Sequence, residues 1–166
     1  MSCIAVKITS TSISMAADSI RVSGYTQSKD HSKSKLFQVN DISIGHSGLC
    51  SEGGLLYLYC ATHKPSGSTE LDIVNFFSDF TDWYRKKLGN GGIKLEGEFL
   101  IVFQGKVYYI IEFCIREVFN TYAIGAGRDF ALAALSLGAS PEKAVEVACD
   151  LSIYCEQPIN MIEIPL

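Results

Sequence analysis

Met1-Ser2-Cys3-Ile4-Ala5-Val6-Lys7-Ile8, then Thr9-Ser10-Thr11, then Ser12-Ile13-Ser14-Met15-Ala16-Ala17-Asp18, is the stretch whose reading decides the fold. Residues 3 to 8 and 12 to 18 are short runs that alternate in the two-residue period of a strand, rich in Ile, Val and Met. The polar tripeptide between them fits a hairpin turn. The chain therefore begins with a strand, and a hydroxyl stands at the head of it. Once Met1 is removed, Ser2 carries its own base. An α-amino group with a pKa of about 7.7 to 8.0 is partly neutral at pH 7 and can take the proton of the adjacent hydroxyl. Many chains begin Met-Ser without any such chemistry, so the serine acquires meaning only from partners elsewhere.

Working outward, a polar stretch from Ser23 to Ser34 precedes Leu36-Phe37-Gln38-Val39 and Ile42-Ser43-Ile44, a strand pair turning at Asn40-Asp41 and closed by Gly48. From Ser51 to about His63, Leu55, Leu56, Leu58, Tyr59 and Cys60 make a helix apolar over most of its circumference, as expected of one buried between layers. Pro65-Ser66-Gly67 ends it. The next helix repeats Leu71, Val74, Phe77, Phe80 and Tyr84 at three- and four-residue steps, widened by Ile73, Phe76 and Trp83. Arg85, Lys86 and Lys87 suit its last turn, and Gly89-Asn90-Gly91-Gly92 stops it. Strands return at Phe99 to Phe103 and Val107 to Glu112 around Gln104-Gly105-Lys106, and residues 114 to 119 continue the sheet.

Arg128 to Leu137 reads as an Ala/Leu helix. Ser140-Pro141-Glu142 starts another, with a capping serine and proline at its first position, running to about Cys155 on a face of Ala144, Val147, Ala148, Leu151 and Cys155. Met161-Ile162-Glu163-Ile164 is an edge strand. The order of strands, two helices, strands, two helices and a strand predicts an α+β fold: two antiparallel sheets covered on their outer faces by helix pairs, a four-layer αββα sandwich.

Composition narrows the partners. With 166 residues and 48% hydrophobic content, the chain is expected to form one domain over residues 1–166. The net charge is −4, and its dense basic run, Lys29-Asp30-His31-Ser32-Lys33-Ser34-Lys35, has no interleaved aromatics, which excludes a nucleic-acid partner. Cys3, Cys50, Cys60, Cys114, Cys149 and Cys155 lie far apart without a CxxC pair, several inside apolar segments. The reading is a reducing cytosol, no disulfides, no structural zinc or other metal. Neither a leader nor a run of about 18 apolar residues occurs, so no membrane span is expected.

Four features bear on the serine. Asp18 ends the second strand, where the hairpin returns it to the chain start. Lys35 heads an otherwise apolar strand, and a cation held beside Asp18 would lower the pKa of a nearby hydroxyl. Gly48, in His46-Ser47-Gly48-Leu49, falls where a strand gives way to a helix and a backbone N–H can serve as an oxyanion donor. Ala123-Ile124-Gly125-Ala126-Gly127 has glycines but neither the lysine nor the spacing of a phosphate loop, so no nucleotide or other cofactor is expected.

In this order and spacing, Ser2-Cys3-Ile4-Ala5-Val6, Ala17-Asp18-Ser19, Lys35-Leu36-Phe37-Gln38-Val39, Ser47-Gly48, Ala123-Ile124-Gly125-Ala126-Gly127 and Asp150-Leu151-Ser152-Ile153-Tyr154 resemble proteasome β-type subunits, and the C-terminal part is most similar to the bacterial peptidase HslV. The resemblance spans nearly the whole chain. It implies the N-terminal-nucleophile hydrolase form of the αββα sandwich and a cytoplasmic threonine/serine-type endopeptidase. It further implies a homo-oligomeric ring that acts on peptides or unfolded proteins, with room for an ATP-dependent unfoldase as partner. Residue by residue, it implies Ser2 as nucleophile with its freed amine as base, Asp18 and Lys35 as the pair that tunes it, Gly48 as oxyanion donor and Asp150 as an acid orienting the N-terminus.

Three departures accompany the resemblance. Serine replaces the usual threonine and loses the methyl that restricts its rotamer. Ala126 stands where active members carry a serine, and a retained Met1 would leave Ser2 without a free amine. These departures define the alternative, a structural ring subunit without catalysis. A third reading, an amidase acting on a small molecule, lacks an inserted substrate domain.

Overall fold

A computed structural model of the chain describes residues 1–28, 34–89 and 94–166. Its first half comprises β1 (Ile4–Ile8), β2 (Ser12–Ala17), β3 (Arg21–Ser23), β4 (Thr26–Ser28), β5 (Leu36–Val39), β6 (Ile42–Ser47), α1 (Cys50–Cys60) and α2 (Glu70–Leu88). The second half comprises β7 (Glu98–Phe103), β8 (Lys106–Ile111), β9 (Cys114–Val118), β10 (Thr121–Ile124), α3 (Arg128–Ser136), α4 (Pro141–Leu151) and β11 (Asn160–Pro165). One antiparallel sheet has the order β10-β1-β2-β11 and the other β5-β6-β7-β8-β9, while β3 and β4 form a separate two-stranded ribbon.

Alternation along the first hairpin separates its two faces. β1 and β2 pair with Ile4 opposite Ala17 and Ile8 opposite Ile13. Ile4, Val6, Ile13 and Met15 enter the core between the sheets, where they meet Leu100, Val102, Val107 and Ile124. Cys3, Ala5 and Ala16 face the other way, against Ala131, Leu135, Ala144 and Ala148 of α3 and α4. Small side chains on both surfaces let these helices lie close to the strands. On the opposite side of the molecule, α1 and α2 cover the five-stranded sheet with rings: Tyr59, Phe76, Phe77, Phe80 and Tyr84 pack over Ile44, Phe99, Ile101 and Tyr108. Phe77 meets Phe99 edge-on at 5.5 Å between ring centres. Burying each such ring contributes about 1.5–3 kcal/mol.

The four-layer αββα reading matches this architecture, with local corrections. Helix α1 is not enclosed between layers, because Tyr57 and Leu58 are exposed and only one face, with Leu56, Tyr59 and Cys60, is buried. The buried face of α2 runs through Ile73, Phe76, Phe77, Phe80 and Tyr84, and it leaves Leu71 exposed. Helix α4 stops at Leu151, short of Cys155, because Ser152 takes an extended conformation. Strand β10 and the β3–β4 ribbon had no periodic signal, being three or four residues long and partly polar. Residues 29–33 of the basic run and 90–92 of the glycine stop lie outside the described residues. Among the described residues no helix is long and apolar enough to cross a membrane.

Candidate active site

Asp18 leaves the end of β2 with no solvent exposure, and its carboxylate gathers four donors. One oxygen accepts the Cys3 N–H at 2.8 Å and the Lys35 ammonium at 2.6 Å; the other accepts the N–H groups of Ile20 at 3.0 Å and Glu156 at 3.2 Å. The Asp18 N–H in turn donates to the Cys3 carbonyl at 3.1 Å. A short strand pair thus becomes a clamp on the residue that follows Ser2. Lys35 reaches Asp18 from the start of β5, where its carbonyl accepts the His46 N–H at 3.1 Å. Burial pushes the Lys35 ammonium below the usual lysine value, against the opposing pull of Asp18.

Ser2 is buried, and its hydroxyl donates to the Met1 carbonyl. Its own carbonyl accepts the Gly127 N–H at 3.0 Å. Gly125 has φ +87°, and a Cβ there would collide with the Ser2 carbonyl oxygen, which explains the glycine at this position. The Gly125 N–H is held by Glu98 at 2.8 Å.

Across the opening, Gly48 occupies the turn from β6 into α1. A Cβ there would stand 2.6 Å from the Gly97 Cα and 2.8 Å from a Glu52 oxygen, so no larger residue fits. Among the described residues the Gly48 N–H has no acceptor. Below it lies Glu52, which sequence reasoning missed. This carboxylate has no solvent exposure, accepts the N–H of Glu96 at 2.7 Å and of Leu49 at 3.3 Å, and approaches His46 Nε2 at 3.4 Å. Burial pushes the Glu52 carboxyl up, but His46 and the two N–H groups outweigh it and hold the group below the usual carboxylate value. The signal was present as an acid in the first turn of a helix, a position that ordinarily reads as a partner for the helix dipole.

Ser2, Lys35 and Gly48 line one cleft of about 1100 Å³, together with Ile20, His46 and Tyr57. Asp18 stands behind Lys35. Asp150 does not join them: it sits on the exposed side of α4 and is not part of the cleft wall, whereas Ser152, two residues on, is buried. Ala126 is exposed. Among the described residues no group of three or more His, Cys, Asp or Glu side chains converges as a metal site. The cleft combines a hydroxyl, a partly buried cation paired to a carboxylate, and a turn with a donor N–H, the components of acyl transfer by a nucleophilic oxygen.

The chain has an HslV-like N-terminal-nucleophile hydrolase fold, as comparison with solved structures shows. BPH of Thiobacillus denitrificans, solved in complex with epoxomicin, superposes with a TM-score of 0.88 at 16% identity, covering 99% of this chain and 98% of that one. Eukaryotic HslV from Trypanosoma brucei gives 0.71 at 18% identity over 99% of both chains. Anbu, an ancestral β-subunit from Yersinia bercovieri, gives 0.73 at 13% identity, covering 99% of this chain and 82% of that one. No protein-family model and no curated protein matches the sequence.

Proposed function

We propose that this chain is the peptidase subunit of a proteasome-like chamber, with Ser2 as its nucleophile after removal of Met1. The observation that carries the reading is the meeting of Ser2, Lys35 and Gly48 in one cleft, with Lys35 joined to Asp18 at 2.6 Å. The freed Ser2 amine takes the hydroxyl proton, directly or through water, and Oγ attacks the peptide carbonyl. Lys35, its charge balanced by Asp18, favours the developing alkoxide, and the Gly48 N–H accommodates the oxyanion; one such donor is worth about 10²- to 10³-fold in rate. The C–N bond breaks as the leaving amine receives the proton, and water then hydrolyses the acyl ester.

The substrate is a peptide or unfolded protein, the assembly a homo-oligomeric ring, and the chain folds as one domain over residues 1–166. An ATP-dependent unfoldase is the natural partner for folded substrates, and the cytoplasm its setting. Asp150, exposed on α4 and outside the cleft wall, takes no direct part in this scheme. A second reading, a ring subunit without catalysis, is favoured by one observation: Ala126 presents no hydroxyl to the N-terminus.

The test is hydrolysis of unstructured peptides by protein whose N-terminus has been confirmed as Ser2. The parent should cleave, and Ser2→Ala should lose all detectable turnover. Cleavage by Ser2→Ala at the parent rate overturns the assignment, and no cleavage by a parent with a free Ser2 amine favours the structural subunit.

A further inference from the structure

The structure packs two thiols beside Ser2 that the proposed chemistry does not use. Cys3 is wholly buried and Cys155 is 7% exposed, and both belong to the small-residue core under α3 and α4. The Asp18 carboxylate holds both backbones in place: one oxygen accepts the Cys3 N–H, and the other accepts the N–H of Glu156, the residue after Cys155. Their side chains converge below Gly127, where a Cβ would stand 2.5 Å from Cys155 Sγ and 2.9 Å from Cys3 Cβ. The two thiols are near enough that each shifts the other's titration. Of the remaining cysteines, Cys50 and Cys114 are exposed and Cys60 lies in the aromatic core on the far side of the molecule.

The two sulfurs are not equivalent. Interaction with Cys3, then with Ser152 and the charge of Lys35, outweighs burial and the Asp18 carboxylate and holds Cys155 below the ordinary thiol value. Cys3 is pushed well above that value by its interaction with Cys155 and by burial, while burial pushes the half-buried Cys149 up to about 12. Cys155 keeps some exposure and Cys3 none, so Cys155 is the sulfur a peroxide reaches first and Cys3 the one placed to resolve.

We propose that Cys3 and Cys155 form a redox modification site that a hydroperoxide closes into a reversible disulfide. The Cys155 thiolate attacks one peroxide oxygen, the O–O bond breaks, and the departing oxygen leaves as water or alcohol after protonation. Cys155 is then a sulfenic acid. The Cys3 sulfur, giving up its proton, attacks Cys155 Sγ; the S–O bond breaks, water departs and the S–S bond forms. Two thiols are oxidised and one peroxide is reduced. The bond ties the residue next to Ser2 to the segment that holds the second oxygen of Asp18, and it forms whether or not Ser2 is a nucleophile.

The experiment treats the reduced full chain with a small excess of hydrogen peroxide, blocks remaining thiols under denaturing conditions and maps peptides without reductant. The expected result is a linked Cys3–Cys155 peptide that dithiothreitol separates, with Cys60 still a free thiol. In Cys3→Ser the same treatment should leave a Cys155 sulfenic acid that dimedone labels. Should that variant fail to fold, the parent peptide map decides alone. Over-oxidation of Cys155 with Cys3 intact, a Cys149–Cys155 bond instead, or no oxidation of either thiol overturns the proposal.

Discussion

Two carboxylates without solvent exposure stand behind the cleft wall, Asp18 behind Lys35 and Glu52 beneath Gly48, and they are built differently. Asp18 neutralises a cation and three N–H groups drawn from the chain start, the end of β2 and the segment before β11. Glu52 binds two N–H groups and a histidine within the turn between β6, α1 and the entry to β7. The first joins distant parts of the sequence around Ser2; the second fixes the local shape of the Gly48 turn. One organises charge beside the hydroxyl, and the other organises backbone around the donor N–H.

The largest expected difference between them is in stability. Asp18→Ala leaves the Lys35 charge and three N–H groups without their acceptor, so it should cost about 3–5 kcal/mol in urea unfolding. Glu52→Ala removes bonds to uncharged N–H groups and a longer contact to His46, and should cost about 1–3 kcal/mol. A reversed order would break the distinction between a charge-pairing knot and a turn-fixing one.

The pH dependence sharpens it. The folded Glu52 carboxyl is held below its ordinary value of 4.5, so the stability it contributes is complete above that value and is lost as pH falls through the folded value. Urea midpoints measured from about pH 7 to about pH 3 should therefore fall less steeply for Glu52→Gln than for the parent. Equal slopes would show that Glu52 is not held ionised by its partners. The smallest effect is expected at Asp150, exposed on α4: Asp150→Ala should stay within about 0.5 kcal/mol of the parent. A larger loss would mean that this carboxylate supports the N-terminus after all.

The contrast also explains what the sequence made legible. β1 and β2 could be read because Ile4, Val6, Ile13 and Met15 keep a strict two-residue period, and the aromatic residues of α2 keep a helical one. Asp18, Lys35 and Gly48 stand at ends of such elements, so their places followed once the strands were known. Glu52 could not be read, because its burial depends on the segment before β7 folding over it, a long-range event with no local pattern. α1 was misjudged because apolar residues on its outer face, Tyr57 and Leu58, carry the same composition as a buried face. The length of α4 was overestimated because Cys155 continues the helical spacing of Ala144, Ala148 and Leu151, although Ser152 has already left the helix.

The most direct measurement takes the protein from its native host, determines its N-terminal residue by mass, and exposes it to a peptide epoxyketone, a reagent that needs a hydroxyl and a free amine on the same residue. The account predicts a chain that begins at Ser2 and a stoichiometric adduct mapped to Ser2. A chain that keeps Met1 quantitatively and takes up no reagent would contradict it.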